Sequence, residues 1–117
     1  MQYLCLIYSA DDARPKPGTP EFGVLMQGYQ KFTDDVKASG KLVHADALQP
    51  ITTATTVTTE NGKIEVTDGP FAETKENLGG YYLLECETLD DAIAEVAKIP
   101  TAEHGRIEIR PVMVWDN

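Results

Sequence analysis

Cysteine is scarce: Cys5 and Cys86 are the only two. Small secreted domains held by disulfides usually carry more, so both are expected as buried free thiols inside apolar strands. Histidine is equally scarce, with His44 and His104 alone. A metal centre wants three or four ligands, and no spaced His/Cys cluster supplies them, so no metal is expected. Positive charge is short too. Ten Lys and Arg stand against nineteen Asp and Glu, a net charge of −9, with no basic cluster. Such a surface repels phosphate backbones, which argues against a nucleic-acid partner. No apolar run approaches the ~20 residues of a membrane-spanning helix, so no membrane partner is expected. Residues 1–8 lack a basic start and a small-residue cleavage site and read as a strand; the expected location is the cytoplasm. A phosphate-cradling glycine loop, a Ser/His/Asp order and a cofactor fingerprint are also missing, so no cofactor is expected.

What is present fits a single domain over residues 1–117, 42% apolar and 25% charged. Residues 2–9 are apolar on both faces, which predicts a central strand covered on both sides. Thr19-Pro20-Glu21 predicts a helix start, with Thr19 as the cap. Phe22, Leu25, Met26, Tyr29, Phe32 and Val36 follow at helical spacing, and Gly40 closes the helix. A second strand is expected over 41–48, stopped by Pro50. The threonine-rich run 52–59, the Asn61-Gly62 pair, and Ile64 and Val66 alternating beyond it predict a hairpin over 53–67 at a sheet edge. Residues 78–86 form another strand apolar on both faces. Thr88 caps a second helix with Leu89, Ala92, Ile93, Val96 and Ala97 on its stripe. Residues 106–114 alternate as a last strand, with Pro111 marking an edge or bulge.

Without the hairpin the order is β-α-β-β-α-β. The expected fold class is therefore α+β, ferredoxin-like with an inserted β-hairpin. Two helices cover one sheet face. The other carries whichever of Tyr8, His44, Tyr82, Cys86 and Arg110 point that way. A partly aromatic open face predicts a homodimer that packs sheet on sheet, in an α+β barrel-type assembly.

Between the hairpin and the next strand lies Val66-Thr67-Asp68-Gly69-Pro70-Phe71-Ala72-Glu73-Thr74-Lys75-Glu76, then Leu78-Gly79-Gly80-Tyr81-Tyr82. This string resembles the hallmark of the DGPF-domain branch of the YCII-related proteins. The likeness extends to Leu48-Gln49-Pro50, Ile99-Pro100 and Arg110-Pro111-Val112, nearly the whole chain. The resemblance implies a ferredoxin-like α+β domain dimerising through its sheets. An enzymatic role has been suggested for YCII relatives from a His-Asp pair whose His would fall near Tyr29. This chain has no His there, so that mechanism does not carry over. The resemblance also implies genomic company with extracytoplasmic-function sigma factors.

Within the string, Asp68 is the leading candidate for an acid or base, with loop fixation as its other reading. Lys75 is the candidate to bind an anion or stabilise negative charge; with Glu73 and Glu76 it also reads as a salt-bridged surface turn. Phe71, Glu73, Tyr82, Arg110 and His44 complete a candidate substrate-binding set. Phe71 alternatively anchors the loop, and Tyr82 alternatively packs in the core. His44 shares a strand face with Asp46 as a possible pair. The expected function is small-molecule binding or catalysis in a cleft near the Asp68–Lys75 stretch. The alternative is a non-enzymatic interaction module acting with a sigma factor.

Overall fold

The computed structural model describes residues 1–115. Over the described residues the chain is a mixed α+β structure with two α-helices and six strands in two antiparallel sheets. In chain order these are β1 (Gln2–Ser9), α1 (Pro20–Ala38), β2 (Leu42–Ala47), β3 (Thr55–Glu60), β4 (Lys63–Asp68), β5 (Asn77–Glu85), α2 (Leu89–Val96) and β6 (Arg106–Pro111). The larger sheet runs β2-β5-β1-β6, so the two apolar strands β1 and β5 are central.

Both helices start where local chemistry dictates. The Thr19 hydroxyl accepts the Phe22 N–H at 3.2 Å, with Pro20 just inside the helix. The Thr88 hydroxyl accepts the Asp91 N–H at 3.1 Å. Each cap satisfies one of the amides that a helix start leaves unpaired. At the end of α1 the Lys41 N–H reaches back to Val36 O and the Gly40 N–H to Lys37 O, a Schellman closure. On α2 only Ala92 and Val96 are buried, while Leu89 and Ile93 at the sides of the stripe stay exposed.

The core lies between the helices and one face of the sheet. Tyr3, Cys5 and Ile7 from β1 meet Tyr82 and Leu84 from β5, with Phe32 and Val36 of α1, Ala92 and Val96 of α2, and Ile99 closing over them. Phe32 and Tyr82 meet edge to face, with centroids 4.9 Å apart. The other face has no layer over it. Leu4, Leu6 and Tyr8 alternate with the core residues of β1 and are only half-buried. The expectation that β1 is covered on both sides is thus corrected for one chain.

Two further corrections concern the strands. The hairpin is no edge of the main sheet; β3 and β4 pair only with each other, because Pro50 and a short 3-10 turn at Ile51–Thr53 redirect the chain first. Its turn is as expected, with Asn61 at φ 51° and Gly62 at φ 79°, the positive values a two-residue hairpin loop requires. The last strand stops at Pro111 because β1 has no residues left to pair. Tyr3 faces Pro111, Val112 donates to Gln2 O at 2.9 Å, and Met113 to Trp115 are exposed beyond.

Candidate functional site

The stretch 68–76 is anchored at both ends and free in between. At its start Gly69 donates to Ala54 O at 2.7 Å, and the Thr56 hydroxyl donates to Gly69 O at 2.7 Å, which fixes the loop to the base of the hairpin. At its end the Thr74 hydroxyl lies 2.8 Å from Glu76 O and 3.1 Å from Asn77 Oδ1, and Arg106 Nε donates to Glu76 Oε1 at 2.7 Å. Asp68, Phe71, Glu73 and Lys75 are all exposed, Phe71 at 90%. Phe71 lines an open, largely apolar groove of about 430 Å³ with Leu48, Pro50, Ile51, Pro70 and Leu78. Neither Asp68 nor Lys75 lines that groove. A second hollow of about 540 Å³ is formed by Tyr8, Glu76, Arg106, Ile107 and Glu108 where the loop rejoins the sheet.

The open sheet face carries a more organised polar group. The β2–β5 register slips between Leu42 and His44, which makes Val43 an extra residue and sets His44 opposite Leu83. Asp46 then stands opposite Tyr81. Tyr81 Oη lies 2.7 Å from His44 Nδ1, and the two rings stack at 5.7 Å between centroids. Asp46 Oδ2 is 3.6 Å from His44 Nε2. An imidazole held between a phenol and a carboxylate can pass a proton in either direction. On β6, Arg106, Glu108 and Arg110 face Tyr8, Leu6 and Leu4 along the same side.

Of the residues expected to bind substrate, His44 and Arg110 therefore lie on this face. Tyr82 does not. Its ring is 6% exposed in the core, with its hydroxyl 2.7 Å from Thr33 Oγ1. Tyr81, next to it and readable from sequence only as a pocket or core residue, is the one of the pair that reaches this face. The signal was the alternation Tyr82-Leu84-Cys86, which fills the core face and sends Tyr81 and Leu83 to the other.

The YCII-related domain family model matches residues 1–116. The chain belongs to the YCII-related domain family. It is 32% identical to an uncharacterized protein of Rhizobium meliloti (strain 1021), over 98% of this chain and 94% of that one. Among solved structures it is similar to 5-chloro-2-hydroxyhydroquinone dehydrochlorinase from Burkholderia phenoliruptrix AC1100, in complex with 2,5-dihydroxybenzoquinone. That likeness has 14% identity, a TM-score of 0.49, and coverage of 97% of this chain and 94% of the other.

In this YCII-related domain, Tyr29 joins α1 to the turn before β6. Its hydroxyl lies 2.5 Å from Thr101 Oγ1, tying α1 to the 3-10 turn at Pro100–Glu103. Burial raises the Tyr29 pKa, while Thr101 and Arg14 oppose the rise. Arg14 braces the same end of the sheet. Its Nε donates to Ser9 Oγ at 2.7 Å, and its Nη2 lies against Gly79, where a methyl group would come within 2.7 Å. Among the described residues, no three His, Cys, Asp or Glu side chains gather as a metal site.

The two thiols of the YCII-related domain are free and buried. Burial, with the nearby Cys86, pushes Cys5 up to about 11. Burial also raises Cys86, Tyr29 and Tyr82. All four are raised above their unfolded values, so the folded state holds these protons more tightly. Their contribution is fully present below about pH 9, the ordinary thiol range, and is lost as pH rises through the folded values. Thermal unfolding followed from pH 8 to pH 11 should show the midpoint falling by roughly 5–10 °C. A flat profile over that range would contradict the buried, neutral state of these groups.

Proposed function

We propose that this YCII-related domain, of the DGPF branch and ferredoxin-like in fold, is a cytoplasmic homodimer that binds a small molecule at the open sheet face and performs acid–base chemistry on it. The observation that carries this reading is the 2.7 Å contact between Tyr81 Oη and His44 Nδ1, with Asp46 on the far side of the ring. Three proton-carrying groups in one row, on a face with no layer over it in one chain, can hydrogen-bond a ligand and exchange protons with it. His44 acts as the proton carrier, Tyr81 as hydrogen-bond donor to ligand or imidazole, and Arg110 as the positioning cation. The apolar floor of Leu4, Leu6 and Leu83 suits a ring or an acyl chain. Packing of two open faces would enclose the site and exclude water, which strengthens every polar contact in it. The interaction-module alternative, with a sigma factor, gains no support from the family or from the geometry.

The test is a ligand screen by thermal shift, repeated on His44→Gln and Tyr81→Phe. Neither side chain belongs to the buried core of the chain, so the unliganded variants should keep the fold and melt within about 2 °C of the parent. Ligands that stabilise the parent by several degrees should lose most of that shift in both variants. Ligands that stabilise all three proteins equally would place the site elsewhere and end this reading.

A further inference from the structure

The β3–β4 hairpin has no partner sheet in its own chain. By alternation and register, Thr55, Val57, Thr59, Ile64, Val66 and Asp68 share one of its faces. Val57, Ile64 and Val66 there are 58%, 73% and 62% exposed. The opposite face carries Thr56, Thr58, Glu60, Lys63, Glu65 and Thr67, an ordinary wet surface. An isolated two-stranded hairpin is marginal in water, and three large β-branched side chains on one exposed face make it a surface built to be covered. The overall shape agrees. The radius of gyration is 16.4 Å, against about 13 Å for a compact chain of this length.

We infer that this hairpin is an arm that closes over the open sheet face of a second copy of the chain, setting its Asp68 against Arg110 there, so that each copy completes the other's site. Charge selects the occupant. Asp68 is the only charged residue on the apolar arm face. Arg110 is exposed on the open face and forms no ion pair among the described residues, in a chain of net charge −9. An apolar strip ending in one acid and an apolar sheet whose β6 rim carries Arg110, with Glu108 two residues before it on the same face, meet at Asp68 and Arg110, and one chain carries both. A two-fold axis satisfies the two together, because each copy then gives and receives the same contact. Size is also adequate. Four strands about 4.8 Å apart and about 20 Å long give roughly 400 Å² of face, and a ribbon of the same length adds roughly 200 Å². With side-chain relief counted, this approaches the roughly 800 Å² per copy of a stable interface. The arm also gives the start of the 68–76 stretch a role, since Asp68 travels with the base of the arm to the β6 rim of the partner's sheet. It rests on the open-face dimer proposed above.

The test uses the full chain and sedimentation or light scattering. The parent should be a dimer. Asp68→Arg and Arg110→Asp should each weaken the dimer at least tenfold, because each sets like charges together, and the two combined in one chain should restore it to within about threefold. Val57→Asp should give a monomer at tens of micromolar, while Thr58→Asp on the wet face should not. Singles without effect, a double variant no better than the singles, or a Val57→Asp dimer would overturn the arm while leaving an open-face dimer standing. A parent that is monomeric at 100 μM would overturn both. Amide exchange in the unaltered chain gives an independent reading: protection of Val57, Ile64 and Val66 should grow with concentration, and fast exchange at every concentration would overturn the arm.

Discussion

Replacing Leu84 with alanine is expected to lower the unfolding free energy by about 3–4 kcal/mol. Leu84 is fully buried near the end of β5, where it pairs with Tyr3 of β1 on one side and Leu42 of β2 on the other. Its side chain reaches the layer of Phe32, Val36, Ala92 and Val96 that joins both helices to the sheet. Removing it takes away both transfer energy and the contacts of every group around it, because two central strands cannot close over the gap. Urea unfolding should show a lower midpoint at unchanged slope, and heating should show a midpoint about 10–15 °C lower. Leu83→Ala is the control. Leu83 is half-buried on the open face, and its loss should cost about 1 kcal/mol in a monomer. Equal costs for the two residues would mean that the assignment of faces is reversed.

Gly105→Ala is expected to cost about 3 kcal/mol, unusually large for adding one methyl group. A Cβ at this position would lie 2.3 Å from the Tyr8 carbonyl oxygen, 2.8 Å from Thr101 Cγ2 and 3.2 Å from Ser9 Cβ. The first of these is backbone in a central strand, so no rotamer change relieves it. The Gly105 N–H also donates to Thr101 O at 2.7 Å, holding the turn that leads into β6. Relief therefore requires β1 and β6 to separate at Tyr8 and Arg106, two walls of the larger hollow. Gly23→Ala is the comparison: its Cβ would meet nothing within 4 Å, it lies inside α1, and alanine there should stabilise by about 0.5–1 kcal/mol. If Gly105→Ala costs less than 1 kcal/mol, the close approach of the turn to Tyr8 is not as described.

What could be read from sequence was what neighbours in the chain decide. Thr19 and Thr88 as caps, the Asn61-Gly62 turn and the central place of β1 and β5 all follow from local chemistry or from a run of apolar residues. What could not be read depends on register between distant segments. Tyr81 and Tyr82 are the same residue side by side in a strand apolar on both faces, and the pairing of Cys5 with Tyr82 places Tyr82 on the core side. His44 and Asp46 were visible as a pair by alternation, but the phenol that completes their row comes from β5, 35 residues on from Asp46. The detachment of the hairpin was hidden for a similar reason. A threonine-rich strand with a solvated face looks the same at a sheet edge as it does standing alone. The stretch 68–76 was easy to single out, and its placement on the surface was not, because its side chains make few contacts that any local pattern could encode.

Both rims of the main sheet are spoiled for further strand addition. On β6 the imide Pro111 has no N–H to offer an incoming chain, and on β2 the extra residue Val43 throws the outer row of amides out of step. Lateral growth of the main sheet into ribbons is therefore discouraged. If copies pair through their open faces as proposed, association stops at a closed, countable number.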